Sequence, residues 1–133
     1  MTETTLPLVA LSTGDPAGIG PELCMKAALS EDVRSICRPV IFGDPAIMKF
    51  HADSCGIGIQ LDGYKAVSEI NWSSSGVKII ELDLFGNKEF RIGEINGDNG
   101  KAAIDCGAAA IQAAVAGDVR AVVAAPQTEK SVH

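Results

Sequence analysis

The sequence predicts an α/β fold with a mainly parallel sheet and flanking helices, and three observations carry that prediction. Short apolar runs recur at residues 6–12, 39–42, 77–84 and 119–125. Segments of helical composition lie between several of them, and Gly and Pro punctuate the junctions. Strands that alternate with helices form right-handed βαβ units, and such units build parallel sheets.

Each element has its own local reason. Residues 6–12 (LPLVALS) suit a buried strand. Residues 14–20 form a Gly-rich turn around Pro16, and Pro21 fits the first turn of a helix, where a missing N–H costs little. Leu23, Met25, Lys26 and Ala27 are good helix formers, so residues 22–29 read as helix. Ser30, Glu31 and Asp32 either interrupt it or cap a second short helix through Cys37. Residues 39–42 (PVIF) make a second strand closed by Gly43. Asp44 as N-cap and Pro45 at the first helical position start a helix that runs to about Ser54 and ends at Gly56.

The second half is less regular. Residues 57–61 suggest a third strand, and the polar, Ser-rich stretch 62–76 suggests loop. Residues 77–84 alternate as a strand does. Residues 85–99 are irregular, with Asp98 and Asn99 read as a cap for an Ala-rich helix over 100–116 that Gly117 terminates. Residues 119–125 (VRAVVAA) read as an interior strand stopped by Pro126, which leaves a sheet expected to be incomplete.

Composition narrows the function. Hydrophobic residues make up 47% and charged residues 21% of the chain, the proportions of a globular domain. A net charge of -6 without any basic run argues against nucleic acid, which binds through clustered Lys and Arg. The start lacks a positive n-region, and no run approaches the roughly 20 apolar residues of a membrane span. A cytoplasmic location and no membrane partner are therefore expected. Cys24, Cys37, Cys55 and Cys106 are far apart and form no metal-binding spacing, so they read as small, reduced core residues.

The informative turn is Thr13-Gly14-Asp15-Pro16-Ala17-Gly18-Ile19-Gly20-Pro21-Glu22. It follows the first strand, and ligands of parallel sheets gather beyond the carboxyl ends of strands. Gly14, Gly18 and Gly20 permit positive φ and close approach of a ligand. N–H groups at the helix start can hold an anion, whereas Asp15 and Glu22 suit hydroxyls, amines or a cation. A plain tight turn with Glu22 capping its own helix is the competing reading. The spacing matches neither the GxGxxG dinucleotide fingerprint nor the GxxxxGK[ST] phosphate loop.

The string TGDPAGIGPE resembles the amino-terminal signature of the 4-hydroxythreonine-4-phosphate dehydrogenase family, often called PdxA. A PVIFGD segment, an Ala-rich helix, a strand and the Pro-containing stretch APQTEKSVH follow in the expected order. The resemblance implies a fold like that of isocitrate and isopropylmalate dehydrogenases, in homodimers with two α/β domains and a cleft between them. It also implies NAD- or NADP-linked oxidation, with decarboxylation, of a phosphorylated hydroxy acid such as 4-phosphohydroxy-L-threonine. A divalent metal held by histidines polarises the reacting oxygen in that family. Those histidines are expected after residue 133, so this chain would be an amino-terminal portion, metal-free and inactive alone. Family members usually place Lys three residues after the proline of the second loop, a position held here by Glu129, with Lys130 next. That departure touches substrate identity, and relatives act on threonate or erythronate phosphates or cyclic diols.

Thr128 and Lys130 join Gly14, Asp15, Gly18, Gly20 and Glu22 as expected cleft residues. Thr128 can equally cap a helix, and Lys130 can be a solvated surface group. His133 is either a cleft residue or simply the last residue. His51 reads as a surface or packing residue inside its helix. Asp105 and Glu22 are an acid pair in composition only. Two readings rival the dehydrogenase: a non-catalytic α/β module binding a small anion, and an acyl- or phosphotransferase of similar fold.

Overall fold

The computed structural model describes residues 6–84 and 97–125. Among them, five strands form one sheet: β1 (Leu8–Ser12), β2 (Arg38–Gly43), β3 (Leu61–Tyr64), β4 (Val77–Glu81) and β5 (Ala121–Ala124). Their order is β3-β4-β2-β1-β5, and every pairing is parallel. The helices are α1 (Gly20–Leu29), α2 (Glu31–Arg34), α3 (Pro45–Cys55) and α4 (Gly97–Val115). The expected α/β class is therefore the observed one.

Alternation along each strand sends successive side chains to opposite faces, and both faces are apolar. Ala10, Val40, Phe42 and Ile80 pack with Cys106, Ala110 and Ala113 of α4. Leu11, Ile41 and Ile79 pack with Cys24, Met25 and Ala28 of α1 and with Met48 and Ala52 of α3. Small residues let α4 approach closely: Ala102, Ala103, Cys106 and Ala110 are all buried. Met25, Val40, Ile41, Met48 and Ile79 have no exposed surface, so truncating any of them removes about 2–5 kcal/mol of packing.

The helix boundaries follow local chemistry. Ser30 accepts a hydrogen bond from the Val33 N–H and starts α2. Asp44 caps α3, Pro45 occupies its first turn, and Gly56 ends it at φ 68°. Gly117, at φ 85°, sits just past α4. The start of α1 differs: Ile19 precedes it, and no side chain caps it.

Several expectations are corrected. The third strand is not at 57–61 but at Leu61–Tyr64. Ile57 and Ile59 pack against the core beneath α1 and α3 without joining the sheet. Pairing begins only where the Gln60 carbonyl takes the Val77 N–H. The stretch 62–76 thus contains strand, and also a 3-10 turn at Val67–Glu69. Strand β4 stops at Glu81, three residues before the expected end; Leu82 still donates its N–H to the Gly43 carbonyl, and by Leu84 the N–H has turned to the Asp44 side chain. Asp98 and Asn99 fall inside α4 rather than before it. The expected interior strand at 119–125 is β5, an edge strand among the described residues, with Val123 54% exposed. Among the described residues β5 pairs with β1 alone. Of the four cysteines, only Cys24 and Cys106 are buried, whereas Cys55 is exposed.

Candidate functional site

The turn between β1 and α1 lies at the carboxyl end of the sheet, where ligand sites of parallel sheets assemble. Four contacts hold its backbone. Gly14 adopts φ 71°, a conformation that disfavours other residues. An Asp15 carboxyl oxygen accepts the Ala17 N–H at 2.9 Å, and the Asp15 carbonyl accepts the Gly18 N–H at 3.1 Å. At Gly20 an added Cβ would stand 1.9 Å from the Thr13 carbonyl oxygen, so the loop closes against its own origin. His51 Nε2 on α3 lies 2.7 Å from the Pro16 carbonyl oxygen. A carbonyl only accepts, so Nε2 carries the proton in that bond.

The glycines are therefore not equivalent. Of the three glycines that permit positive φ, only Gly14 uses it within this turn. Gly20 is required by close approach. Gly18 is exposed, and an added Cβ would meet nothing nearer than 3.6 Å.

Asp15 is the unusual group. It is only 4% exposed. One carboxyl oxygen is engaged by Ala17, and the other has no hydrogen-bond partner among the described residues. A buried acceptor left unpaired costs about 1–3 kcal/mol, more if charged, so a group of this kind calls for a ligand, an ion or water. Asp44 provides the contrast: its two oxygens accept the N–H groups of Ala46 at 3.0 Å and Leu84 at 3.1 Å.

Glu22 is placed otherwise than a cleft carboxylate. It forms an i,i+4 ion pair with Lys26 at 2.6 Å on the surface of α1. That ammonium, with the Cys55 thiol beside it, holds Glu22 below the usual carboxylate range. Asp105 pairs likewise with Lys101 on α4, across the sheet from Glu22, so the two acids are not brought together. Thr128, Lys130 and His133 lie outside the described residues.

His51 was expected at the surface or in packing; it is buried, as a packing residue is, and it is also bonded to the turn. Its contact spans 35 residues of sequence, which no local pattern encodes. The floor of the site is also polar. Thr13 and Ser12 hydroxyls lie 3.5 and 3.4 Å from the Cys106 sulfur, which donates to the Phe42 carbonyl at 2.6 Å. Neither buried cysteine suits nucleophilic chemistry. Burial pushes the Cys24 thiol up to about 12, and the Cys106 thiol is engaged as a donor.

A separate cavity of about 310 Å³ opens at the amino ends of the strands, lined by Arg34, Arg38, Trp72 and Lys78 among others. Two of these basic groups, Lys78 and Arg38, are engaged by neighbouring side chains. Lys78 donates to Asp62, to the Ser74 carbonyl and to the Ser74 hydroxyl, which accounts for all three ammonium protons. Arg38 lies 5.0 Å from the Trp72 ring centroid.

Among the described residues, no group of three His, Cys, Asp or Glu side chains could hold a metal ion. No helix among them is long and apolar enough to cross a membrane.

Comparison with known proteins agrees with this architecture. Residues 35–133 match the model of the family described as pyridoxal phosphate biosynthetic protein PdxA. A Clostridium botulinum protein with the provisional name D-threonate 4-phosphate dehydrogenase is 27% identical over 127 residues, which cover 96% of this chain and 38% of that one. The crystal structure of a 4-hydroxythreonine-4-phosphate dehydrogenase from Burkholderia phymatum superposes with a TM-score of 0.87 at 25% identity, over 96% of this chain and 38% of that one. A terephthalate 1,2-cis-dihydrodiol dehydrogenase from Burkholderia xenovorans LB400 gives 0.74 at 31% identity, over 96% and 36%. The chain thus spans well under half the length of these relatives.

Proposed function

The chain belongs to the PdxA family, and we propose on that footing that it forms the amino-terminal α/β portion of a longer, two-domain, NAD- or NADP-linked dehydrogenase. Its substrate is a phosphorylated hydroxy acid of the kind named for the relatives, such as D-threonate 4-phosphate or 4-phosphohydroxy-L-threonine.

The observation that carries this reading is the second oxygen of Asp15. The group is buried, sits beyond a central strand, and is held in a braced turn with one acceptor left over. A carboxyl in that setting accepts a hydrogen bond from a substrate hydroxyl or ammonium, and it does not attract a phosphate. Preorganisation matters because the substrate must lie within a few tenths of an ångström of its reacting geometry. The nicotinamide cofactor, when bound, supplies the hydride acceptor; Asp15 orients the carbinol end. The phosphate falls to N–H groups or cations, with the uncapped start of α1 and Lys130 as the candidates in this chain. Thr128 offers a hydroxyl in the same second loop.

The family's divalent metal is not accommodated by the described residues, which offer it no cluster of ligands. By the family resemblance, its ligands are proposed to lie in the rest of the longer protein. Among the described residues the outer edge of β5 is unpaired, which supports such a continuation. A cleft of about 450 Å³ lies on one side of it, bounded by Ala103, Ile104, Gly107, Ile111 and Ala124. Ile104 and Ile111 are both more than half exposed there, a surface that a further layer would cover. A homodimer is proposed as the working assembly, and no membrane or nucleic-acid partner is invoked.

The test is a spectrophotometric assay of the intact protein with added divalent metal, each nicotinamide cofactor in turn, and a panel of phosphorylated hydroxy acids. Metal-dependent cofactor reduction by one of them is the expected result. Reduction by a cyclic diol alone would transfer the assignment to the substrate of the 31%-identical relative. No reduction by any of them would overturn the dehydrogenase reading in favour of a binding module or a transferase.

A further inference from the structure

We propose that His51 is a positioning residue for Asp15, acting through the Pro16 carbonyl; this rests on the reading of Asp15 as a ligand group. The bond between His51 Nε2 and the Pro16 oxygen is 2.7 Å and buried, and it is the contact by which α3 grips the β1–α1 turn. Pro16 directly follows Asp15, so fixing its carbonyl fixes the peptide plane next in line. That plane leads into the Ala17 N–H, which engages the first Asp15 oxygen. A shift of the Pro16 carbonyl therefore rotates the donor that sets the carboxyl orientation. The ring itself is held: it is 3% exposed, and Phe50 meets it edge-on at a centroid distance of 5.8 Å.

Chemistry explains why histidine serves here. A proline carbonyl in a turn has no helical partner of its own, and burying it unpaired carries a desolvation cost. The donor must reach across from α3, and it must be rigid to transmit position. An imidazole has a single hinge to its ring and places Nε2 at the far end. Glutamine can place its amide nitrogen at nearly the same distance from Cα; asparagine falls short by one methylene.

The experiment compares His51→Gln with His51→Asn in the intact protein. Both are polar and neutral, so they differ mainly in reach. Two readouts are taken on folded samples: kcat/KM with the best substrate from the panel, and amide hydrogen exchange across residues 13–22. The expected result is that His51→Asn loses between about 10-fold and 100-fold in kcat/KM, the cost of a misplaced orienting group. Its Ala17 and Gly18 amides exchange faster than in the parent. His51→Gln restores slow exchange and most of the activity. Equal kcat/KM for the parent and His51→Asn, with unchanged exchange, would overturn the proposal. So would a His51→Gln variant as impaired as His51→Asn. Should the parent show no dehydrogenase turnover, the reading of Asp15 fails by that result. Exchange alone then decides whether His51 braces the turn.

Discussion

The tetrapeptide Gly-Asp-Pro-Ala occurs twice, at residues 14–17 after β1 and at residues 43–46 after β2, and the two copies do different things. In each, an aspartate oxygen accepts the N–H two residues on, at 2.9 Å in the first and 3.0 Å in the second. After the second copy the helix starts at once, at Pro45. Asp44 becomes an N-cap, and its other oxygen ties down Leu84, three residues past the end of β4. After the first copy, Gly18 and Ile19 intervene and the helix starts only at Gly20. Asp15 is then carried into a buried position with one oxygen unmatched among the described residues. Identical local chemistry yields a structural cap in one place and a ligand-ready group in the other. The difference lies in the residues that follow and in what comes across the sheet to meet them.

The sharpest way to break the first turn is at Gly20. Gly20→Ala places a Cβ almost on the Thr13 carbonyl, and an overlap that neither backbone can relieve costs about 3 kcal/mol. Denaturant unfolding of the intact protein reads this directly; an unchanged midpoint would show that the loop is not closed as described. Gly43 opens the second copy, and its added Cβ would stand 2.9 Å from the Thr13 side-chain methyl. A side chain yields more easily than a carbonyl, so Gly43→Ala costs less than Gly20→Ala. The reverse order would contradict the packing of the two turns against each other.

The second copy breaks at Asp44. Asp44→Ala removes both of its bonds and the cap of α3, a loss of about 1–2 kcal/mol. Activity per folded molecule is expected to persist, in contrast to the effect at Asp15. A variant that unfolds like the parent but loses turnover would make Asp44, and not Asp15, the working carboxylate.

Most of the sheet and its caps were legible in the sequence, because the signals there are local. Ser30, Asp44, Pro45 and Gly56 each act within a turn of where they stand. Strand β3 was misplaced because Ile57 and Ile59 look like strand residues but pack as single side chains from an unpaired segment. The edge position of β5 depends on what pairs with it, which its own residues do not encode. The turn at 13–22 was legible as a motif, though its internal roles were not. Glu22 carried the same charge as Asp15 on paper, yet it points along the helix to Lys26. His51 was invisible because its meaning comes from a contact made 35 residues away. The repeated Gly-Asp-Pro-Ala was the one available hint, since it predicts two similar turns side by side on neighbouring strands.

A subtler contrast separates the two ends of the sheet. At the amino end, Asp62 is satisfied by Ser74 and Lys78, which hold its carboxyl below the usual carboxylate range. A depressed folded-state value means that the stabilisation is complete above the ordinary carboxylate range. It is lost as pH falls through the lower, folded-state value. Asp62→Asn should therefore flatten the decline in stability on acidification, as followed by unfolding midpoints across an acid series. An acid profile parallel to that of the parent would show that the contact contributes nothing.

The smallest effects belong to the exposed positions of the first turn. Gly18→Ala meets only ordinary contacts and should shift stability by less than about 0.5 kcal/mol. Glu22→Gln removes a solvent-exposed ion pair and should leave the unfolding midpoint where it is. If kcat/KM nonetheless collapses in Glu22→Gln, the carboxylate that meets the ligand is on α1 and the ranking of the two acids is inverted.

One measurement tests the central claim most directly: kcat/KM of Asp15→Asn beside its unfolding midpoint, in the intact protein. Asparagine keeps the side-chain oxygen that accepts the Ala17 N–H, so the fold should hold. The second position becomes an amide, which no longer accepts a hydrogen bond from a substrate hydroxyl or ammonium. The expected loss is roughly 10-fold to 100-fold in kcat/KM, corresponding to a charge-assisted hydrogen bond of about 1.5–3 kcal/mol, with little change in the midpoint. Undiminished kcat/KM at an unchanged midpoint would contradict the account and return the β1–α1 turn to a purely structural role.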